Sequence, residues 1–225
     1  DEGRGLRGRQ WEYEYRTSAF RPDGRVDDIL NDFYIPALER SVLYRRMAGY
    51  FTSSSLAAAS RGFASFTASD GRMRLITGAD LDSEDVEAVL AGEEERLSCL
   101  LEERLEDLSW PEDVRRGVEL LGWMVARGVL EVRVAIRVHS VTGEGLPFDS
   151  NEDGYVHEKW AVFEDDAGDI LLAGGSLNES RSALVLNAEN IAVDAGWWGK
   201  PSSERAEEHK RDFDLPSRRR RSEEH

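Results

Sequence analysis

The period of the hydrophobic pattern changes along this chain, and this change most constrains the fold. Between residues 130 and 138, apolar side chains alternate strictly with polar or small ones, which is the period of two expected for a β-strand. Just before this segment, Val114, Val118, Leu121 and Val125 recur at the spacing of one helix face. Because strand-like and helix-like segments alternate along the chain, we predict an α/β domain with helices on both faces of a sheet.

The remaining segments extend this alternation and divide the 225 residues into three parts. Further strands are predicted at residues 47–51, 72–77, 156–163, 170–173 and 191–193, and further helices at 26–40, 56–66, 83–90 and from 111 onward. Residues 1–25 are predicted to be a flexible arm with one short strand near residues 11–15. Residues 26–200 form the predicted domain, and the charged residues 201–225 are predicted to be a disordered tail.

The charge of the chain and its apolar segments exclude several classes of protein. With 29 basic and 45 acidic residues, the net charge is −16, which repels polyanions at long range. We expect no membrane-spanning segment, since no apolar stretch approaches the roughly 20 residues required. The chain shows no secretory signal pattern, so a cytoplasmic protein is expected. Its one cysteine, Cys99, is interpreted as a small core residue rather than a catalytic thiol.

A leucine stripe between residues 97 and 108 allows two interpretations. Four leucines recur there at helical spacing, with glutamates on the other faces. The stripe fits a solvated helix that covers the core, and it also fits a surface that binds a partner protein. The sequence leaves both open.

Polar residues that suit a phosphate group follow one another on two predicted strands. His157 and Lys159 share one face of a strand, roughly 6–7 Å apart along it. The next strand leads into Gly174, Gly175, Ser176 and, two positions later, Asn178. An ammonium, a hydroxyl and an amide can hold phosphate oxygens, and an imidazole can attack phosphorus or move protons. On the residues alone, ordinary strand side chains remain the alternative.

No cofactor or metal is predicted for this chain. It has no glycine-rich phosphate loop, no paired-cysteine spacing and no His-Glu-x-x-His motif, and its four histidines are scattered.

His157-x-Lys159 followed by Gly175-Ser176-x-Asn178 resembles the H-x-K…G-S-x-N signature of the phospholipase D superfamily. Residues 33–38, 47–53, 75–78 and 187–190 are similar to one branch, the module found in bacterial and archaeal helicase-associated and restriction or anti-phage proteins. The resemblance implies a mixed sheet flanked by helices and a metal-independent phosphodiesterase. It implies that His157 forms a phosphohistidine, that Lys159, Ser176 and Asn178 hold the phosphate, and that Glu189 orients the histidine.

The chain departs from the superfamily pattern at two points. The aspartate usually found five positions after the lysine is Glu164 here, followed directly by Asp165. Only one H-x-K motif is present, whereas the reaction uses two histidines. We therefore expect either a homodimer in which two copies of His157 meet at the symmetry axis, or an incomplete chain.

Two functions follow from this resemblance. The first is a homodimeric endonuclease or phosphodiesterase acting on DNA, or on RNA, in phage defence or helicase-linked DNA processing. The second is a non-catalytic module that binds nucleic acid or assembles with a helicase or defence partner. Lipid hydrolysis is disfavoured, because the acidic surface is repelled by anionic bilayers. DNA contact would need a local basic cleft, for which the candidates are Arg45, Arg46, Arg72, Arg74, Arg133, Arg137 and the tail.

Overall fold

Seven strands form a single mixed sheet in the described part of the computed structural model, which comprises residues 5–78, 112–135, 158–176, 184 and 188–215. The strands are β1 (Glu14–Arg16), β2 (Leu43–Ala48), β3 (Arg72–Thr77), β4 (Leu130–Val134), β5 (Trp160–Glu164), β6 (Ile170–Gly175) and β7 (Asn190–Ala195). Their order is β1-β7-β6-β5-β2-β3-β4. Strands β2, β3 and β4 are parallel, whereas β5, β6, β7 and β1 pair antiparallel in turn.

Helices cover both faces of this sheet. A π-helical segment (Ile29–Tyr34) runs directly into α1 (Ile35–Glu39), and then come α2 (Ser54–Ala58), α3 (Ser60–Ala68), α4 (Glu112–Ala126) and α5 (Ser202–Asp214). The π-helical segment, α1, α2, α3 and α4 contribute to the larger core, and α5 packs on the opposite face. The predicted mixed α/β sheet with helices on both faces is therefore confirmed.

The alternation of side chains along β5 assigns residues to two separate cores. Ala161 and Phe163 point into the larger core, where Phe163 stacks on Tyr44 at 4.6 Å between ring centroids. Trp160 and Val162 point to the other face and pack against α5. Because strand side chains alternate between faces, β5 is buried on both sides and reads as a continuous apolar run.

The N-terminal segment is an integral part of the fold, contrary to the flexible arm predicted for residues 1–25. Strand β1 pairs with β7, and Leu6, Trp11 and Tyr15 are buried in the larger core. The buried carboxylate of Asp165 accepts a hydrogen bond from the Leu6 backbone N–H at 2.8 Å. The polar composition suggested a loose arm, but three spaced apolar residues, the pairing of β1 with β7 and the contact to Asp165 anchor it.

The prediction of disorder from residue 201 onward is wrong for residues 202–214, which form α5. Ala206 and Phe213 are buried against Trp160 and Leu172 of the sheet, although the rest of the helix is highly charged. Arg45 of β2 donates to Asp214 from Nε and Nη2, at 2.9 and 2.8 Å. The charge of this segment matches ion-pair partners on the sheet, which composition alone does not reveal.

Most of the other predicted elements are present with shifted limits. Strand 72–77 is found as predicted, the helix predicted at 56–66 divides into α2 and α3, and the strand predicted at 47–51 begins earlier, as β2. The leucine stripe with Cys99 and the helix predicted at 83–90 lie outside the described residues. None of the described helices combines the length and apolar composition that crossing a bilayer requires.

We expect Phe213→Ala to lower the free energy of unfolding by about 3 kcal/mol, since it removes a buried aromatic ring that meets Trp160 edge-on. The matched control is Leu215→Ala, because Leu215 lies just beyond α5 and is 59% exposed. This control should change the free energy by less than about 0.5 kcal/mol. Urea denaturation followed by circular dichroism measures both values, and equal effects would argue against a docked α5.

Candidate functional site

One edge of the sheet collects residues that are distant in sequence. The carboxyl ends of β2, β3, β4 and β6 lie at this edge together with the amino ends of β5 and β7, as the strand pairings require. Lys159 immediately precedes β5, Ser176 immediately follows β6, and Glu189 immediately precedes β7. Three residues predicted to form one site are therefore brought to the same edge.

Ser176 and Glu189 are joined directly by their side chains. The Ser176 hydroxyl donates a short hydrogen bond to Oε2 of Glu189. The backbone N–H of Ser176 donates to the Asn190 carbonyl, and the backbone N–H of Asn190 donates to the Ser176 hydroxyl, both at 3.1 Å. These contacts hold the hydroxyl at the solvent-exposed end of β6, in contact with a buried carboxylate.

Glu189 is held in place from its other side by the segment that follows β1. Its backbone N–H donates to the Thr17 hydroxyl at 2.8 Å, and its carbonyl accepts from the Thr17 N–H at 3.0 Å. The residue is only 8% exposed. Glu189 was predicted to orient a histidine, and the described contact of its carboxylate is with Ser176. The N-terminal segment therefore supports the site as well as the fold.

Gly175 allows β6 and β7 to approach closely beside this contact. A Cβ atom at Gly175 would lie 2.2 Å from the Asn190 carbonyl oxygen and 3.0 Å from the Ile191 Cα. Both neighbours are backbone atoms, which cannot rotate away as a side chain would. At Gly174, by contrast, the nearest atom to an added Cβ is the Trp160 Cβ at 3.8 Å. Glycine is thus a steric requirement at Gly175 and not at Gly174.

Lys159 continues the ladder between β5 and β6 and contributes a cation. Its carbonyl accepts a hydrogen bond from the Gly175 N–H at 3.1 Å, and its side chain is half-buried. Burial and the nearby positive charge of Arg46 lower the pKa of Lys159 from its usual value, while the charge of Glu189 acts in the opposite direction. The ammonium group therefore loses its proton at a lower pH than that of an exposed lysine.

A small cavity with room for about one water molecule lies beside Lys159. Its lining comprises Phe33, Tyr34, Arg46, Lys159, Ala161, Phe163, Ala173, Gly174, Gly175 and Ile191. The walls are aromatic or aliphatic, and the lining includes two cations, Lys159 and Arg46.

The structure separates the arginines that sequence analysis grouped as candidates for a basic cleft. Arg45 is bound by Asp214 and Glu164, Arg74 by Asp214 and Glu131, and Arg133 by Glu131. Arg72 is exposed, and Arg137 lies outside the described residues. Only Arg46 among the described members of this group lines the cavity with Lys159. The sequence could have indicated this position of Arg46, because Arg46 shares a strand face with the apolar residues Tyr44 and Ala48, which are buried.

The acidic residues at the end of β5 belong to other parts of the molecule. Glu164 accepts from Arg45 Nη1 at 2.6 Å and from Lys210 Nζ at 2.9 Å, on the α5 side of the sheet. Asp165 is buried and accepts from the backbone N–H groups of Leu6, Ala167 and Asp169. Since strand residues alternate between faces, Glu164 points away from the face of Lys159. Glu164, which stands where the superfamily usually has an aspartate, therefore contributes to the packing of α5. Asp165 stabilises the turn between β5 and β6, and neither carboxylate lines the cavity.

Two of the five predicted site residues, His157 and Asn178, lie outside the described residues. Their placement beside Lys159 and Ser176 stays a prediction from the spacing along each strand. Within the described ranges, no three His, Cys, Asp or Glu side chains are grouped so that they could hold a metal ion.

Comparison with known proteins finds likeness in structure only. No family model matches the chain, and no curated protein matches it significantly. It is similar to NucT from Helicobacter pylori, with 12% identity and a TM-score of 0.44 over 80% of this chain and 81% of that chain. It is also similar to Nuc from Salmonella typhimurium, a phospholipase D family member, with 15% identity and a TM-score of 0.39 over 89% of each chain.

A further similar structure is the phosphatidylserine synthase of Haemophilus influenzae, at 16% identity and a TM-score of 0.43. That match covers 82% of this chain and 35% of the synthase. The phospholipase D family, to which Nuc belongs by its description, is the one that the motifs of this chain resemble.

We expect Gly175→Ala to lower the free energy of unfolding by about 1–3 kcal/mol, because the new methyl group would force β6 away from β7. The control Gly174→Ala should change it by less than about 1 kcal/mol, since the added methyl group has ordinary contacts. Urea denaturation of the two variants measures the difference. Indistinguishable midpoints would contradict the close approach at Gly175.

Proposed function

We propose that this chain is a metal-independent phosphodiesterase that cleaves DNA, with RNA as a second possible substrate. The observation that carries the proposal is the meeting of Lys159, Ser176 and Glu189 at one sheet edge, with Ser176 bonded to Glu189. These residues come from three different strand ends, and the resemblance to the superfamily implies a role for each of them. An ammonium and a hydroxyl beside a small apolar cavity suit the oxygens of one phosphate group.

In the proposed reaction, an imidazole nitrogen of His157 attacks phosphorus, and the bond from phosphorus to the leaving oxygen breaks. A second histidine gives its proton to that oxygen. Water then attacks the phosphohistidine and gives a proton to the second histidine, and the bond from phosphorus to the first imidazole breaks. This step releases the phosphate monoester and restores both histidines. Lys159, Ser176 and Asn178 stabilise the charge on the phosphate oxygens in both steps. Glu189 fixes the orientation of its neighbours through the contact to Ser176.

The second histidine is proposed to come from a twin chain, since the sequence has one H-x-K motif. In a two-fold dimer both copies of His157 can face one phosphate, and residue i of each chain meets its counterpart at the axis. Each dimer would then form one shared site.

The biological setting is proposed from the motif resemblance to modules of helicase-associated and anti-phage proteins. We place the protein in DNA cleavage during phage defence or helicase-linked processing. The net charge of −16 disfavours long-range attraction to DNA. Affinity would therefore depend on the local cations Lys159 and Arg46 rather than on the whole surface.

Cleavage of plasmid and single-stranded DNA should proceed in excess EDTA and should be abolished in His157→Ala. We expect Lys159→Met to reduce the rate at least 100-fold, because it removes a positive charge from the transition state. The matched control is Lys200→Met, since Lys200 is 80% exposed and its ion pair with Glu204 lies on the surface. Gel assays of the four proteins give the rates.

Turnover by His157→Ala at the wild-type rate would overturn the assignment of the nucleophile. If the wild-type protein binds DNA without cleaving it, and Lys159→Met loses that binding, the non-catalytic binding module is supported instead. A phosphohistidine trapped by acid quenching and found by mass spectrometry at His157 would support the covalent mechanism.

A shared site predicts that inactive chains suppress active ones. When wild-type protein is co-expressed with an excess of His157→Ala, most wild-type chains enter mixed dimers, which hold only one of the two histidines. Activity per wild-type chain should then fall steeply as the fraction of variant chains rises. Analytical ultracentrifugation establishes the dimer, and constant activity per wild-type chain would show that each chain carries its own complete site.

A further inference from the structure

An exposed apolar pair lies on the loop that follows β1, at residues 18–26, which we call the Phe20 loop. Phe20 and Val26 form an isolated antiparallel bridge and are 79% and 40% exposed. Bridged residues place their side chains on the same face, so the two apolar groups adjoin. A single exposed apolar side chain needs no explanation. This pair differs, because it stands on a loop that begins beside the candidate site.

Polar contacts hold the Phe20 loop in shape. Arg21 donates from Nε and Nη2 to the two carboxylate oxygens of Asp27, at 2.5 and 2.9 Å. The backbone N–H of Arg21 donates to the Arg25 carbonyl at 2.7 Å. Asp27 is buried and also accepts from the Arg16 N–H at 2.8 Å. The loop therefore presents the phenyl ring to solvent on a fixed support, as a binding surface requires.

The Phe20 loop begins at the edge of the sheet that carries the candidate site. Thr17 lies opposite Glu189, since its N–H donates to the Glu189 carbonyl at 3.0 Å and its hydroxyl accepts from the Glu189 N–H at 2.8 Å. Phe20 follows three residues later, so its Cα lies within about 11 Å of the Thr17 Cα. Ser176 is two strands away from Thr17, or roughly 10 Å. The Cα atoms of Phe20 and Ser176 are therefore at most about 21 Å apart.

A nucleic-acid strand held at the site extends over this distance. Stacked nucleotides advance by about 3.4 Å along one strand, so roughly six of them cover it. A base within a few nucleotides of the reacting phosphate can therefore reach the Phe20 ring. In a duplex the faces of the bases are covered by the neighbouring pairs, and exposing one costs unstacking energy. Only a single strand offers its bases freely.

The size and the chemistry of the exposed pair match a base better than a protein partner. The residues between Phe20 and Val26 are largely polar, so the apolar area is far smaller than a stable protein interface needs. One phenyl ring matches the face of one base, and stacking accepts any base because each has a π face. Stacking also requires no positive charge, which suits a chain whose net charge is −16.

We propose that Phe20 forms a nucleobase-binding subsite of the candidate site, in which its ring stacks on a base of a single-stranded substrate. The inference rests on the proposed function, because it assumes that nucleic acid binds at the edge that carries Ser176 and Glu189. It adds a substrate class to that function. Strands with unpaired bases use the subsite, and duplexes bind without it.

The test measures binding of fluorescent oligothymidine by anisotropy, with His157→Ala present in every protein so that the DNA stays intact. Adding Phe20→Ala should weaken binding about 5- to 150-fold, the loss expected for one base stacked on an aromatic ring. Phe20→Trp should keep the affinity, because an indole also stacks on bases. Tyr13→Ala is the matched control and should leave the affinity unchanged, since Tyr13 is 73% exposed but lies before β1, at the other end of that strand.

A second measurement varies the DNA, so that it also applies if Phe20→Ala does not fold. An abasic strand of the same length has the same phosphates and no bases, and the protein with Phe20 intact should bind it more weakly than oligothymidine. Phe20→Ala should cause no further loss with the abasic strand or with a duplex, because neither offers a base to the ring. Equal affinity of the protein with Phe20 intact for both strands would overturn the inference. So would an equal loss with all three DNAs, or a loss that accompanies a change from dimer to monomer in ultracentrifugation.

These results also separate this inference from the proposed function. If binding of oligothymidine depends on Phe20 while the wild-type protein cleaves no DNA, the subsite stands and the proposed activity fails. If the wild-type protein cleaves single-stranded DNA and Phe20→Ala keeps both the affinity and the KM, the activity stands and the subsite is refuted.

Discussion

The close approach of β6 and β7 at Gly175 is the constraint on which the candidate site depends. A Cβ atom at residue 175 would clash with the Asn190 carbonyl. Because Gly175 has no Cβ, the two strands stay paired up to the sheet edge. Ser176 then meets Glu189, and the Gly175 N–H reaches the carbonyl of Lys159. Three strand ends are thereby locked to one another through backbone contacts. The proposed phosphate site would therefore be positioned by the sheet itself rather than by mobile side chains.

The charged side chains on the two faces of the sheet have different surroundings. On the α5 face, Arg45, Arg74 and Lys210 are matched by Asp214 and Glu164, so the charges there join a helix to the sheet. On the other face, the two cations Lys159 and Arg46 line one cavity with apolar walls. Apolar walls weaken dielectric screening, so this pair can act more strongly on an anion than surface charges could. The overall acidity of the chain therefore does not describe the charge lining this cavity.

Much of the fold could be predicted because the hydrophobic periods are clear. Strand β3 and the α/β class follow from local patterns, and so does the shared face expected for His157 and Lys159. The errors occur where few apolar residues anchor a polar segment. Leu6, Trp11 and Tyr15 hold the N-terminal segment, and Ala206 and Phe213 hold α5, yet both segments look disordered by composition. Both segments are also fixed by contacts between residues far apart in the sequence, such as Leu6 with Asp165 and Arg45 with Asp214, which local patterns do not encode.

The sequence by itself determined the chemical groups of the site and their order along the chain. Motif spacing singled out Lys159 and Ser176, because residues two apart on a strand share a face and the glycines permit close backbone approach. Glu189 followed only from the resemblance to the phospholipase D superfamily. Only the tertiary structure decided which arginine lines the cavity with Lys159. Arg45 and Arg46 are adjacent and chemically identical, but pairing with β5 turns one toward Asp214 and the other toward the cavity. Strand register is set by contacts across the whole sheet, and a shift of one residue would exchange the two side chains.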